Sequence, residues 1–357
     1  MRPFYGWLNQ LGHGFRADSN RKGNFEVQKG SLLLSVALSC APFPGYSQTS
    51  KEVKPGAAIK LHTELVAIDV QVVDRKSQRL IFDLSQNDFE IYDDRVKQRI
   101  EQFSQDKLPL SVVLLLDASG SMWTVLDRLR ASALAALQTL KPEDECAVVV
   151  TANETLLVQD FTTDKFRVSE TLRGLDLKAF GDNGIILHDS LYRAASHLQK
   201  SANPADRRIV IAITDNETVP AYNWRYATKE QTVELVLETG VVVCGLVMSR
   251  NIAARATTKL LNFSNRLGGG DVHSYAELTG GEILSASNEN VGQKLVELIS
   301  HLRTRYTLAF VPSNTKRDGK LRRVKIRLTA DAEQRIHKSG SGEYAIRTRS
   351  GYYAAKR

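Results

Sequence analysis

Between residues 108 and 303 the chain alternates short, continuously apolar runs with longer segments of helical periodicity, and few folds accept that rhythm. Residues 111–116 (SVVLLL) are apolar without a break, as a strand covered on both faces must be. Residues 125–140 then place Leu126, Leu129, Ala133, Leu137 and Leu140 on one helical face. The pattern recurs, with strands at 146–151, 156–161, 208–214 and 241–247, helices at 186–199 and 231–238, and a short strand at 282–284 before a closing helix at 292–303. This predicts an α/β domain over 108–303 with a doubly wound, mostly parallel sheet.

The flanks change period. Leu65, Ala67, Asp69 and Gln71 oppose Val66, Ile68, Val70 and Val72, which predicts a half-buried strand over 64–73. Residues 89–92, Asp93-Asp94 and residues 96–103 read as a hairpin with an acidic turn. Past residue 305, Tyr306, Leu308 and Phe310 share one strand face, Val324, Ile326 and Leu328 oppose Arg323, Lys325 and Arg327, and 344–348 reads as a third strand. Neither flank, 62–107 or 304–357, is large enough for a core of its own. We therefore expect them to pair into one small β-sandwich with the α/β domain inserted between its halves.

The 357 residues carry 48 Lys and Arg against 40 Asp and Glu, a formal net charge of +8, which raises nucleic acid as a partner. The distribution argues against it. Residues 302–357 hold fifteen basic and four acidic residues, while 48–301 are net acidic. Arg323, Lys325 and Arg327 alternate with apolar residues, as on the outer face of an antiparallel strand, and aromatics suited to base stacking are not interleaved with them. Three cysteines exclude a disulfide scaffold, and Cys146 and Cys244 lie inside apolar runs as core thiols do.

Residues 31–41 (SLLLSVALSCA) are too short for the roughly 20 residues that span a bilayer, and Arg16, Arg21, Lys22 and Lys29 precede them. They read as the apolar part of a signal peptide over 1–47 with a long basic n-region, cut before Gln48, and 48–60 as a linker. Ala37-Leu38-Ser39-Cys40 also resembles a lipoprotein cleavage box, which makes a lipid on Cys40 a second route to the envelope. The expectation is an exported protein, periplasmic, envelope-bound or secreted, with no membrane span; a disordered or buried apolar segment is the competing reading.

In open α/β sheets ligands bind beyond the carboxyl ends of the strands. There the first central strand ends in Asp117-Ala118-Ser119-Gly120-Ser121, and residues 213–215 (ITD) bring Asp215 to the same edge. Two hydroxyls and two carboxylates suit a hard cation, since Mg²⁺ takes about six oxygens and keeps waters among them. Without a cation the two acids would repel.

DASGS after an apolar strand, with ITD after a later one, resembles the metal-ion-dependent adhesion site of von Willebrand factor A (VWA) domains. The order of elements is similar to the bacterial VWFA-related proteins first grouped from acidobacteria: DFEIYDD (88–94) and QRIEQFS (98–104) before the A domain, RYTLAFVP (305–312) and GYYA (351–354) after it. The resemblance implies that Ser119 and Ser121 bind Mg²⁺ or Mn²⁺ directly, that Asp117 and Asp215 hold its waters, and that a carboxylate of a protein or surface ligand completes the coordination. It also implies a threonine in a Gly-Gly-Thr turn. This chain has Asn183-Gly184-Ile185 there, so an alkyl group replaces the hydroxyl, and Asp182 or Asn183 are the substitutes at hand. Trp123, Asn216 and Glu217 flank the same edge as candidate partner contacts, with packing at the helix start as the other reading of Trp123.

An enzyme is the rival class. Ser119 or Ser121 before a helix suggests an activated nucleophile, but Gly-x-Ser-x-Gly is missing, and the candidate bases His188 and His197 sit in a helical run, leaving His273. Phosphotransfer through Asp117 would call for a second acid where Ser119 stands, no phosphate-binding GxxxxGK[ST] loop occurs, and the glycine-rich 267–271 does not lead from a strand into a helix. The expected function is an exported binding or adhesion module, not an enzyme. A metal-independent scaffold of the cell envelope is the alternative, with a serine-dependent hydrolase behind both.

Overall fold

The computed structural model describes residues 65–105, 108–152, 154–181, 184–203, 207–219, 225–248, 270–338 and 343–356. The signal peptide, the linker and Cys40 expected from the sequence lie outside them. Strand β1 (Val66–Asp74) is followed by the hairpin β2 (Phe89–Asp93) and β3 (Val96–Gln98). Asp94 and Arg95 join the hairpin strands with φ of 44° and 74°, mirror-image turn values that suit the right-handed twist of paired strands. Residues 96–103 are not one strand. The buried Gln98 amide bonds Ser313, and at this corner the chain changes sheets into β4 (Ile100–Gln105).

The central portion runs β5 (Ser111–Asp117), α1 (Trp123–Leu137), β6 (Glu145–Thr151), β7 (Thr155–Thr162), α2 (Lys165–Gly174), α3 (Leu187–Leu198), β8 (Arg208–Thr214), α4 (Lys229–Thr239), β9 (Val242–Met248), α5 (Val272–Thr279), β10 (Ile283–Ala286) and α6 (Val291–Arg303). Its sheet has the order β10-β9-β8-β5-β6-β7, parallel except for the antiparallel edge strand β7. Side-chain alternation splits β5 between two cores: Val112, Leu114 and Leu116 pack with α1 and α6, and Val113 and Leu115 with α3, α4 and α5. Strand order reverses between β5 and β8, which opens a crevice at their carboxyl ends.

The chain ends with β11 (Tyr306–Phe310), β12 (Leu321–Leu328), α7 (Ala330–Lys338), β13 (Tyr344–Thr348) and β14 (Gly351–Tyr353). Two further four-stranded sheets, β13-β1-β11-β4 and β14-β12-β2-β3, each combine strands from before and after the central portion. Val66 pairs with Phe310 and Phe89 with Leu328, and the facing sides enclose Ile68, Val70, Ile91, Tyr306, Leu308, Phe310 and Ile326.

All of these elements belong to one unit, Leu61–Arg357. Strand β1 is buried on both faces rather than one, because its Asp69 and Gln71 side lies against the α/β portion, where Gln71 Nε2 donates to His301 O (3.4 Å). Gly280, at φ 74°, allows a close approach of the two portions: a Cβ there would lie 2.4 Å from the Thr348 backbone. Helix α7 has no counterpart in the sequence reading; its Ala332 and Ile336 close the sandwich core, and its acidic first turn and basic last turn complement the helix dipole. Among the described residues no helix is long and apolar enough to cross a membrane.

Candidate functional site

Strands β5 and β8 are neighbours at the sheet centre, so their carboxyl ends deliver Asp117 and Asp215 to the same edge. Asp117 is buried; its Oδ1 accepts from Ser119 N (3.0 Å) and its Oδ2 from Thr214 Oγ1 (2.7 Å). A 3-10 turn at Gly120–Met122 carries the chain into α1 and sets the two serines together, with Ser119 Oγ 3.2 Å from Ser121 Oγ. Ser121 Oγ donates to Asp215 Oδ2 (2.6 Å), and Glu217 N donates to Asp215 Oδ1 (3.0 Å). The four residues singled out as metal ligands from the sequence are thus brought together by two strands and one turn.

Burial, and after it the charge of Asp215, push the Asp117 carboxyl up to about 6, against the pull of its hydrogen bonds from Ser119 and Thr214. A buried carboxylate beside a second carboxylate, with two hydroxyls between them, is a donor set that fits a hard divalent cation. Ile185 supplies no oxygen: it is buried in the core that faces α3 and α4, and its backbone bridges Thr218. Asp182 and Asn183, its proposed substitutes, lie outside the described residues. Among the described residues no group of three or more His, Cys, Asp or Glu gathers, so a cation here would rest on two carboxylates and two hydroxyls.

The neighbouring candidates have other attachments. Trp123 Nε1 donates to Ala118 O (3.1 Å), its ring packs against the core beside α1, and the Lys178 ammonium stands 5.6 Å from the ring centroid. Asn216, at φ 61°, donates from its amide to Asp271 Oδ1 (2.8 Å) and accepts from Val272 N (3.0 Å), tying the edge to the start of α5. Sequence reasoning passed over Thr214, which links Asp117 to the Asn216 amide N–H (2.8 Å); its place one residue before Asp215 was the available signal.

The two serines bond each other and Asp215, and among the described residues no histidine is their partner. His197 bonds Asp160 (2.8 Å) and stacks on Phe161; His188 is buried with Nδ1 2.5 Å from Tyr275 Oη. Burial, and then the charge of Lys229, hold the His188 imidazole below its ordinary 6.5. The folded state therefore keeps it neutral while the unfolded chain takes up a proton, so its stabilisation is present above pH 6.5 and lost as pH falls. Urea unfolding at pH 7 and at pH 5 should show that acidification shifts the stability difference between wild type and His188→Phe in favour of the variant; a difference that stays the same at both pH values would overturn this role for His188.

Residues 112–217 match the family model for the von Willebrand factor type A domain. The chain carries a VWA domain. The match begins inside β5 and ends two residues past Asp215, so it contains all four clustered residues. Among solved structures, the chain is similar to the conserved hypothetical protein BatB from Bacteroides thetaiotaomicron, at 16% identity over 54% of this chain and 98% of that one, with a TM-score of 0.40. It is also similar to a von Willebrand factor type A protein from Catenulispora acidiphila, at 11% identity over 76% and 74% of the two chains, with a TM-score of 0.42. The vWF domain of the type V pili tip protein Mfa5 from Porphyromonas gingivalis aligns at 13% identity over 54% and 94%, with a TM-score of 0.39. No curated protein matches the chain in sequence.

Proposed function

We propose that this protein is an exported, non-enzymatic binding or adhesion module of the bacterial VWFA-related type, recognising a protein or surface ligand through a divalent cation at the β5–β8 edge. The observation that supports it is the convergence of Asp117, Ser119, Ser121 and Asp215 at the point where strand order reverses. Ser119 and Ser121 would hold Mg²⁺ or Mn²⁺, and Asp117 and Asp215 would hold its waters and balance its charge. The bound cation supplies an electrophilic position for a carboxylate of the partner. The chain's own residues prepare that position: Thr214 and the Ser119 N–H orient Asp117, and Asn216 anchors the loop behind it. With Ile185 in place of a hydroxyl, we expect weaker affinity than a full oxygen set gives.

Calorimetric titration of the full chain with Mg²⁺ and Mn²⁺ should show one site that Asp117→Ala removes. A wild type that stays silent while Ile185→Thr binds would overturn the cation reading. Partner capture with and without EDTA, compared with Asp117→Ala, separates the alternatives: capture that survives both treatments favours a metal-independent scaffold.

A further inference from the structure

At the opposite edge of the α/β sheet from Asp117, where β9 begins, a cleft of about 580 Å³ lies between the α/β portion and the sandwich. That volume is in the range of small-ligand sites, which favour such junctions. Three features of the cleft point in one direction.

The first is an open sheet edge. Strand β13 accompanies β1 only from Val70 to Asp74, its last pair being Val70↔Thr348. Among the described residues, β1 has a strand neighbour on one side only, β11, from Val66 to Asp69. On its other side the Ala67 carbonyl accepts from a side chain, Arg349 Nη2 (2.6 Å), where a sheet would supply a backbone N–H.

The second is Asp69. It lines the cleft, is more than nine-tenths buried, and its Oδ1 accepts from Thr307 Oγ1 (2.8 Å); among the described residues no group donates to Oδ2. Arg305, whose charge acts on Asp69, is fully buried; its Nη2 donates to Gly280 O, and among the described residues neither its Nε nor its Nη1 reaches an acceptor, Asp69 Oδ2 included. A buried carboxylate oxygen without a donor is costly, and a ligand that brings one gains correspondingly.

The third is polarity along the strand. At the far end from Asp69, β11 passes from Phe310, the partner of Val66, into a loop whose exposed Lys316 and Arg317 line the same cleft.

We propose that this cleft binds a short extended peptide with free termini, which adds to β1 antiparallel where β13 leaves off. An antiparallel strand continuing from Thr348 would start beside Asp69 and end beside Leu65 and the basic loop. Its ammonium then meets the carboxylate without a donor, and its carboxylate meets Lys316 and Arg317. The four residues Val66–Asp69 span about 13 Å, which sets the ligand at three or four residues. Backbone hydrogen bonds supply the affinity in this mode, and Leu65, Val242 and Tyr353 give the cleft apolar walls for side chains.

The test is calorimetric titration of the full chain with trialanine, its N-acetylated form and its C-terminal amide. Trialanine should bind, acetylation or Asp69→Asn should weaken binding at least tenfold, and amidation or Lys316→Glu should weaken it several-fold. EDTA should leave all of these unchanged, which separates this cleft from the β5–β8 edge. Trialanine that fails to bind at roughly 10 mM, or binds equally well when acetylated, overturns the proposal. Should Asp69→Asn not fold, the acetylated and free peptides on the wild type, with Lys316→Glu in an exposed loop, decide the matter alone.

Discussion

Mg²⁺ should raise the melting temperature of the wild-type chain and leave that of Asp117→Ala where it is. Two opposed effects meet at this residue. In EDTA the Asp117 carboxyl, buried and next to Asp215, ionises only at about 6. Its folded pKa lies above the unfolded value, so the folded state is favoured by protonation: that stability is complete below about 4 and lost as pH rises to about 6. The rise from 3.8 to about 6 corresponds to about 3 kcal/mol, an order-of-magnitude figure. A divalent cation reverses the situation by supplying the missing opposite charge. At a free concentration one hundred times its Kd it adds about 2.7 kcal/mol, roughly 4 °C for a body of this size. Differential scanning fluorimetry from pH 4 to 8, with EDTA and with Mg²⁺, measures both. Expected are a falling metal-free curve for the wild type, a flatter one for Asp117→Ala, and a Mg²⁺ response in the wild type alone. Equal responses in the two proteins would place the cation elsewhere.

Glu282→Ala should be the most damaging single change away from that edge. Glu282 is buried just before β10 and receives His301 Nδ1 (3.0 Å) from α6 and Arg347 Nη1 (2.8 Å) from β13. Arg347 in turn donates to Gln71 (3.0 Å) and Gln78 (2.8 Å), so one carboxylate ties the α/β portion to the sandwich. Burial alone would raise its pKa; the His301 hydrogen bond and the Arg347 charge outweigh burial and hold it below 4.5. Its stabilisation is therefore present above pH 4.5 and lost on further acidification, on the acid side of the Asp117 window. Removing one member of a buried ion pair costs about 3–5 kcal/mol, because the partner's charge stays behind uncompensated. Urea unfolding should show that loss for Glu282→Ala and a partial recovery for Glu282→Ala with Arg347→Met. A loss under about 1 kcal/mol would mean that Arg347 finds sufficient compensation in Gln71 and Gln78.

The α/β portion was legible because its signals are local. A strand covered on both faces reads as SVVLLL, helices read at their own period, and DASGS followed by ITD needs only strand ends to become a cluster. Thr214 escaped notice because its role depends on β8 lying beside β5, a pairing that neither strand encodes alone. Asn216 and Trp123 looked like partner contacts for the same reason: both occupy the right edge, and only packing reveals that Asn216 is tied to Asp271 and the Trp123 N–H to Ala118.

The flanks show the division most clearly. Alternation in 64–73 and 306–310 identified strands and assigned their apolar faces correctly, and the small size of each flank implied that the two pair. Alternation cannot say what lies against the other face. Asp69 and Gln71 are polar and read as solvent-facing, yet the α/β portion covers them, so their hydrogen bonds must be met inside the protein or by a ligand. Periodicity reports one residue against its neighbours in the chain, so the sequence by itself determined most of the strands, the layered α/β class and the four residues at the edge, while the helices α2, α5 and α7 emerged only in the structure. Which buried polar groups find partners depends on distances between segments hundreds of residues apart. Only the tertiary structure decided that Glu282 is satisfied and that Asp69 keeps one oxygen without a donor.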